Sequence, residues 1–338
     1  MALNTSENPA TCDLITCCQL RNLSDHPLDS RPLISERFLP FPTTPHAELA
    51  HYYHNYNSDV HDLNLTNLLI WAQRHDLHYF VVNHYIIYVY YPRDSEHVYF
   101  SEPVGDTSQS DQLLETLKQI VQWCTSESIP MRFRRISNRC RDLLLTLRPD
   151  AAVEPIPDAY DYCYLTSDLA NLSGNRYHKK KNHLNQFQKK HEGRYQIHAI
   201  NSENAKDALQ VATNWCKENG CRGDYDLCYE YRGIAYLLNR WPHFSSFKIE
   251  GVVVYVDDQP VAFSLAEPWT NDTLLVHIEK GDTNYPGIYA AVNNAMAKQA
   301  MDRFKYLNRE QDMGIEGIRK AKLSYLPSHL IEKSNLTL

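Results

Sequence analysis

The fold is decided by a stretch that reads Leu274-Leu-Val-His-Ile-Glu-Lys-Gly-Asp-Thr-Asn-Tyr-Pro-Gly-Ile-Tyr289. Its apolar start predicts a buried strand. Pro286 suits the first turn of a helix, and Gly287 lets another group approach the backbone closely. A helix N-terminus that follows a strand and a loop carries free N–H groups and binds anions well. We therefore predict that Tyr285, Gly287 and Ile288 bind a phosphate group.

Two ionisable residues, His277 and Glu279, lie within this predicted strand. Side chains alternate along a strand, so these two should share one face while Ile278 points to the other, into the apolar layer. Burial and the neighbouring Lys280 can tune the pKa of both groups. The pair predicts a general base, or a hydrogen-bonding pair that orients an amine or alcohol nucleophile. The alternatives are a structural salt bridge and an exposed edge strand.

A second cluster of charged groups begins at a predicted strand, in the run Tyr306-Leu-Asn-Arg-Glu-Gln-Asp-Met-Gly-Ile-Glu-Gly-Ile-Arg-Lys-Ala-Lys-Leu-Ser-Tyr325. Arg319 and Lys322 are three residues apart on a short helix and share a face. Runs of charge are often solvated turns, but glycines beside them favour a site here. The candidate substrate-binding residues are Lys280, Asn308, Arg309, Glu310, Asp312, Arg319 and Lys322.

A basic segment extends from Arg176 to Arg194 and contains one acidic residue, Glu192. The whole chain has a formal net charge of -7, which excludes a globally basic nucleic-acid binder and makes this segment a local patch. We predict that its lysines bind donor phosphate, of a tRNA acceptor arm, coenzyme A or anionic lipid. These lysines are Lys179, Lys180 and Lys181. The alternative is a solvated helix face.

The 338 residues are 43% hydrophobic, which is enough for two folded units. Both halves read as helices, a meander of strands and a helix that packs back on the sheet. This rhythm predicts an α/β (α+β) fold in which each half has a mixed, mostly antiparallel sheet flanked by helices. We predict a polar N-terminal extension over residues 1–31, a first unit over residues 32–160 and a second over residues 161–338.

The sequence contains no apolar run of the ~18–20 residues that a membrane span requires, and no secretory signal pattern. We therefore expect a soluble, cytoplasmic protein. Cys216, Cys221 and Cys228 lack the close paired spacing of zinc sites, so we expect no metal.

The motifs resemble the C-terminal domain of bacterial phosphatidylglycerol lysyltransferases, the DUF2156 group. The matching segments are His277-Ile-Glu-Lys-Gly, Tyr285-Pro-Gly-Ile-Tyr, Asn308-Arg-Glu-Gln-Asp-Met-Gly and Gly317-Ile-Arg-Lys-Ala-Lys-Leu-Ser-Tyr. Weaker similarity runs back through Tyr177-His-Lys-Lys-Lys-Asn-His-Leu-Asn-Gln-Phe and Asn64-Leu-Thr-Asn-Leu, so the resemblance covers the chain from about Pro32.

This resemblance implies two tandem GNAT-like domains and transfer of an acyl or aminoacyl group. In the lysyltransferases the donor is an aminoacyl-tRNA and the acceptor is a lipid headgroup. The resemblance also implies that Glu279 with His277 deprotonates or orients the acceptor, and that Tyr325 gives a proton to the leaving group. One departure is the large membrane-spanning region ahead of this domain in those enzymes, for which this sequence has no counterpart.

We therefore expect a soluble acyltransferase that moves an aminoacyl group from aminoacyl-tRNA to an amine or hydroxyl acceptor, which includes a lipid headgroup. One alternative is an acyl-coenzyme A-dependent N-acyltransferase, although the Gln/Arg-x-x-Gly-x-Gly/Ala run of such sites is absent from this corner. A second alternative is a non-catalytic scaffold that binds RNA or a protein partner. No tightly bound cofactor is expected, and the expected partners are tRNA and the surface of an anionic membrane.

Overall fold

The computed structural model describes residues 38–42, 45–91, 97–219, 225–241 and 248–338. The predicted N-terminal extension, residues 1–31, lies outside these ranges. The strands are β1 (Leu39–Pro40), β2 (His78–Val82), β3 (Tyr85–Tyr90), β4 (Tyr99–Phe100), β5 (Arg132–Ile136), β6 (Ala152–Pro155), β7 (Asp161–Leu165), β8 (Tyr195–Ala199), β9 (Glu250–Val256), β10 (Gln259–Pro268), β11 (Thr273–Gly281), β12 (Tyr306–Asn308), β13 (His329–Ile331) and β14 (Ser334–Thr337). The α-helices are α1 (Pro45–Leu49), α2 (Leu65–His75), α3 (Ser110–Ser126), α4 (Asn138–Leu147), α5 (Thr166–Asn171), α6 (His178–Lys190), α7 (Ala205–Asn219), α8 (Tyr225–Asn239), α9 (Ile288–Ala300) and α10 (Glu316–Leu323).

The first sheet has the strand order β1-β2-β3-β4-β5-β14-β6. Strands β2 and β3 form a hairpin because Asn83 and His84 adopt the left-handed conformation that a two-residue turn needs, with φ of 50° and 68°. The apolar side of helix α3 covers this sheet, and its Leu113, Leu117 and Ile120 are buried in the shared core.

The second sheet has the order β13-β7-β12-β11-β10-β9-β8 and contains the predicted hairpin of β9 and β10. Helix α9 packs on one face of this sheet, together with α5 and α6. Helices α7 and α8 pack on the other face. The predicted α/β fold, in which each half has a mixed sheet flanked by helices, is confirmed.

The two halves are joined by elements that cross between them. Asn64 caps helix α2 by accepting from the backbone N–H of Thr66 at 2.9 Å. The helix then packs against α8 of the second half, where a Cβ on Gly233 would lie 2.7 Å from the Cα of Ile70. Only glycine permits this distance between the helices, so the second half fixes the position of α2 closely.

The last strand, β14, lies between β5 and β6 and therefore belongs to the first sheet. The sequence-based division assigned residues 161–338 to the second unit, and the position of β14 corrects that division. Its buried Leu336 pairs with Phe133 of β5 and joins the core of the first half. The reason is packing, because an apolar residue so late in the chain finds its buried neighbours in the first sheet.

A β-bulge in strand β11 corrects the predicted facing of its side chains. Leu265 pairs with Ile278, but Ala266 pairs with Val276, so His277 is an extra residue without a partner in the ladder. An extra residue shifts the alternation by one position. As a result Val276 and Ile278 lie in the cores on opposite sides of the sheet. The predicted sharing of a face by His277 and Glu279 is therefore wrong.

Candidate active site

Glu279 and Arg309 form a largely buried ion pair at the centre of the candidate site. Arg309 follows β12, which lies parallel to β11, so the two side chains meet beside neighbouring strands. Arg309 donates through Nε and Nη2 to Glu279 Oε2, with the Nε distance at 3.1 Å. Asn293 of α9 donates to Glu279 Oε1 at 3.1 Å. Burial opposes the charge of Arg309, but the Glu279 carboxylate outweighs it and raises the pKa of Arg309 above its ordinary value.

One donor of this guanidinium remains unused. Arg309 Nη1 is buried and has no hydrogen-bond partner among the residues that the structure describes. Leaving a buried donor unpaired costs about 1–3 kcal/mol. Such donors need an explanation in a native protein, and a binding or catalytic role is one of the recognised explanations. The unpaired Nη1 is therefore a candidate donor to a ligand oxygen.

Two lysines and a tyrosine complete this site. Lys322 donates to the backbone carbonyl oxygens of Arg309 and Glu310, the second at 3.0 Å. Burial, assisted by the charge of Arg309, lowers the pKa of Lys322 to about 8. Lys180 Nζ lies 4.2 Å from the ring centroid of Tyr325, and the Arg309 guanidinium lies 5.1 Å from the same centroid.

Charge is unevenly distributed over this site. Burial raises the pKa of Tyr325 to about 12, so its hydroxyl keeps a proton at neutral pH. Burial, assisted by Arg309, lowers the pKa of Lys180. Lys180 and Lys322 thus lie near enough to Arg309 for its charge to lower both of their pKa values, and this concentration of cations favours a ligand that is negative or becomes negative during reaction.

His277 lies on the other face of β11, in a separate buried network. Its Nδ1 lies 2.9 Å from Glu310 Oε1, and its Nε2 lies 3.2 Å from Glu267 Oε1. Helix α2 reaches the same carboxylates, because Asn67 donates to Glu310 at 3.0 Å and Thr66 donates to Glu267 at 3.1 Å. Burial favours the neutral ring, but the hydrogen bonds to the two carboxylates raise the pKa of His277 to about 9.

A second polar group at the junction of the halves contains His61, Asp62 and Asp161, whose potential ligand atoms lie within 4.8 Å of one another. The ammonium of Lys333 sits in this group and donates to Asp62 and, at 2.7 Å, to Asp161. Arg135 adds a second cation at 2.8 Å from Asp62. Protein cations therefore already neutralise the carboxylates that would otherwise attract a metal ion.

Several residues predicted to bind substrate are instead held by partners within the protein. Buried Asp312 accepts from Arg319 Nε at 2.7 Å, and Arg319 also donates to Asp158 at 2.6 Å. Buried Asn308 accepts from the backbone N–H of Glu310 at 2.8 Å and so shapes the loop. We therefore do not assign Asn308, Asp312 and Arg319 to the site around Glu279 and Arg309.

Lys280 and Glu310 are likewise committed to internal partners. Lys280 Nζ lies 2.6 Å from Glu230 and 3.7 Å from the ring centroid of Trp215, on the side of the sheet that α7 and α8 cover. Glu310 is held by His277 and Asn67, as described above. We therefore do not assign Lys280 and Glu310 to the site around Arg309.

The predicted phosphate corner is occupied differently from the expectation. Gly287 has a φ of +88°, and a Cβ there would overlap the carbonyl oxygen of His183 in α6. The group that approaches Gly287 closely is therefore the backbone of another helix. Ile288 is buried in the core, and the Tyr285 ring lies 5.5 Å from the ring of His191. The three predicted phosphate-binding residues pack α6 against α9.

The basic helix contributes one of its three predicted lysines to the site. Lys179 and Lys181 are exposed, whereas Lys180 is partly buried against Tyr325. Sequence reasoning missed Asn293, although an Asn-Asn pair inside an otherwise apolar helix was a usable signal. It also missed His61 and Lys333, for which no local pattern exists because their partners are far away in sequence.

Comparison with known proteins supports the fold. The structure of a conserved protein of unknown function from Bacteroides thetaiotaomicron is 27% identical, with a TM-score of 0.78 over 89% of this chain and 99% of that one. The C-terminal domain (DUF2156) of a putative lysylphosphatidylglycerol synthetase from Agrobacterium fabrum is 12% identical, with a TM-score of 0.58 over 79% of this chain and 86% of that one. At such identity the second likeness concerns the fold alone.

An uncharacterized protein of Mycoplasmoides gallisepticum is 25% identical over 173 residues, which are 51% of this chain and 54% of that protein. The matched part thus spans about half the length of that curated relative. In the described part of the chain, no helix combines the length and apolarity needed to cross a bilayer.

The family described as phosphatidylglycerol lysyltransferase, C-terminal, matches residues 53–336. The chain therefore belongs to this family.

Proposed function

We propose that the chain is an aminoacyltransferase whose site lies on the Glu279 face of β11. The single observation that carries this proposal is the buried, unpaired Nη1 of Arg309 beside Glu279. An acyl transfer passes through a tetrahedral intermediate with a negative oxygen, and a preorganised donor at that oxygen is worth about 10²–10³ in rate. Arg309 is the candidate for this donor.

The reaction assigns one proton step to each of two further groups. An acceptor amine or hydroxyl attacks the carbonyl carbon of the aminoacyl ester and gives its proton to Glu279. The new bond to the acceptor forms, the ester C–O bond breaks, and the leaving 3′-oxygen of tRNA takes a proton from Tyr325. Lys180 and Lys322 stabilise the negative charge that develops between these two steps. His277 holds its own proton through two carboxylates and takes no part.

Two features favour aminoacyl-tRNA over acyl-coenzyme A as the donor. Helix α6 covers Gly287 at the start of α9, where an acyl-coenzyme A enzyme would hold its pyrophosphate. The exposed Lys179 and Lys181 lie on the same helix as Lys180, whose ammonium lies against Tyr325, and a concentration of cations suits a nucleic-acid backbone. The acceptor class remains an amine or hydroxyl, and a lipid headgroup is included in it.

The test is a transfer assay with two labelled donors. Purified protein is incubated with labelled aminoacyl-tRNA or labelled acetyl-coenzyme A, in the presence of small amines and of vesicles that contain anionic phospholipid. We expect label to move from aminoacyl-tRNA only. Arg309→Lys keeps the charge but lacks the guanidinium group, whose Nη1 is the proposed donor to the ligand. It should lose transfer by about 10²-fold or more.

The matched control is Arg303→Lys, which alters an arginine in a surface ion pair with Glu250 and should transfer normally. Transfer from acetyl-coenzyme A alone would replace the proposed donor. Full activity of Arg309→Lys would mean that Arg309 Nη1 does not contribute to transfer, and would contradict the proposal.

A further inference from the structure

Strand β8 is an edge of the second sheet, because among the described residues only β9 pairs with it. Exposed edges invite pairing with another strand, and proteins protect them with short length, proline or charge. The other sheet edges carry such protection, since β1 has two residues and ends at Pro40, β13 has three residues, and β6 contains Glu154 and Pro155. Strand β8 has five residues, Tyr195–Ala199, and none of them is proline, lysine, arginine or a carboxylate.

The hydrogen bonds at the two ends of the β8–β9 ladder show which main-chain groups of β8 face outward. Ile200 N–H donates to the C=O of Gly251 at 2.8 Å, and Asp257 N–H donates to the C=O of Arg194 at 3.0 Å. Hydrogen-bonded positions alternate along an antiparallel strand. The even-numbered residues of β8 therefore bond β9, and the odd-numbered residues, which include Ile197, direct their N–H and C=O groups away from β9.

The outward groups that remain unpaired form a two-fold symmetric set. Tyr195 N–H already donates to the C=O of His191 at 3.1 Å. The C=O of Ala199 already accepts from the Asn204 side chain at 2.9 Å. The C=O of Tyr195, both groups of Ile197 and the N–H of Ala199 have no partner in the described ranges. A second, antiparallel β8 centred on Ile197 would pair all of them, because each Ile197 exchanges both bonds with the other and each Ala199 donates to the other Tyr195.

The side chains of β8 also suit a copy of the same strand. Tyr195, Ile197 and Ala199 lie on the α9 side of the sheet, since their partners in β9 belong to that core. Ile197 is 42% exposed although it is aliphatic. In the centred pairing it lies against Ile197 of the copy, and Tyr195 lies against the smaller Ala199. On the other side of the sheet, Gln196, which bonds His198 of its own strand at 2.9 Å, lies opposite the copy's His198.

We propose that β8 is a dimerisation edge and that its partner is a second copy of this chain, paired antiparallel about Ile197. The second sheets of the two copies then form one continuous sheet across a two-fold axis. The proposal does not rest on the transferase assignment, because β9 and β10 separate β8 from the strand that carries Glu279. An interface made by a strand edge is small, so the dimer should dissociate on dilution.

The first test is sedimentation velocity of the full chain from about 1 µM to about 1 mM, the range in which a small interface dissociates. We expect a monomer at the low end and a dimer at the high end. Ile197→Lys should stay monomeric, because two ammonium groups would face each other at the axis. The matched control is Val153→Lys on the exposed edge strand β6, which should dimerise as the unaltered chain does. A monomer at every concentration of the unaltered chain would overturn the proposal.

A charge exchange tests the register of the pairing. Ile197→Glu alone should also be monomeric, for the same reason as Ile197→Lys. A mixture of the two variants should dimerise, because the two-fold axis places their opposite charges against each other. This rescue separates pairing about Ile197 from misfolding and from a dimer through another surface. A mixture that stays monomeric would contradict the pairing about Ile197.

Amide hydrogen exchange, read residue by residue by NMR, measures the edge itself. The N–H groups of Gln196 and His198 bond β9 and should be protected at every protein concentration. Those of Ile197 and Ala199 should exchange rapidly in dilute protein and become protected as the dimer forms. Protection of Ile197 that does not change with concentration would mean that the same chain covers this edge, and the proposed partner would be wrong.

Discussion

The two faces of strand β11 differ in whether their charged groups have all their hydrogen-bond partners. On the His277 face, the histidine and the carboxylates of Glu267 and Glu310 are satisfied by one another and by helix α2. On the Glu279 face, Arg309 keeps a buried donor without a partner. The bulge at His277 places His277 and Glu279 on opposite faces of the strand. The comparison indicates that the network on the His277 face joins the two halves, whereas the Glu279 face keeps the donor that our proposal assigns to the ligand.

The largest expected effect concerns the Glu279 face. Tyr325→Phe should reduce transfer by about 10²-fold, the usual contribution of a general acid, with little change in the free energy of unfolding. The structure assigns no hydrogen bond to the Tyr325 hydroxyl within its described ranges, so the ring should pack unchanged. Transfer rate and urea denaturation measure the two quantities.

The control is Tyr306→Phe, because that tyrosine lies at β12 beside Lys305, outside the site. It should leave both quantities unchanged. If Tyr325→Phe destabilises the fold but transfers at the normal rate per folded molecule, the two faces do not differ as described.

The second effect concerns the His277 face and depends on pH. The folded pKa of His277 is raised to about 9 from an ordinary 6.5. A histidine with a raised pKa stabilises the fold fully below its unfolded pKa, and the stabilisation is lost as pH rises through the folded pKa. Its contribution is on the order of 3 kcal/mol.

We expect His277→Gln to be less stable than the unaltered chain at about pH 6, and the difference to shrink as pH approaches about 9.5. Urea denaturation across this range measures the difference. A difference that is constant with pH would mean that folding does not raise the pKa of His277, contrary to its two carboxylate partners.

The smallest expected effect concerns the contact between α6 and α9. Gly287→Ala should destabilise the fold by about 1–3 kcal/mol, because a Cβ would overlap the His183 carbonyl at a positive φ. Gly317→Ala is the matched control, since a Cβ there meets nothing within 4 Å and lies in helix α10. It should stabilise by about 0.5–1 kcal/mol. The midpoints of thermal unfolding of the two variants measure these changes. Equal midpoints would contradict the close approach of the His183 carbonyl to Gly287.

The sequence was sufficient where function depends on local pattern. Strand β11 and helix α9 follow from apolar periodicity and a proline, although α9 begins at Ile288, later than predicted. Glu279 and Arg309, which carry the proposed site, were candidates from the sequence because charged groups at strand ends are unusual. The bulge at His277 escaped prediction, since Val276-His277-Ile278 contains neither glycine nor proline and reads as a regular strand.

Contacts between distant segments were beyond sequence reasoning for a different physical reason. His61 and Lys333 meet at Asp161 only after both halves have folded, and no periodicity encodes a partner so far away in the chain. Arg319 and Asp312 were misjudged because charge runs show no sign of whether their charges are paired. A buried pair and an open site share the same residue types.

The position of β14 has a consequence for synthesis. When β5 and β6 leave the ribosome, the strand that lies between them has not yet been made, so the first sheet is left with a gap whose N–H and C=O groups are unpaired. The first half must wait for residues 334–337, and its folding is coupled to nearly the whole chain. Expression of residues 38–160 alone should therefore give a chain that aggregates, and supplying the missing strand in trans should rescue it.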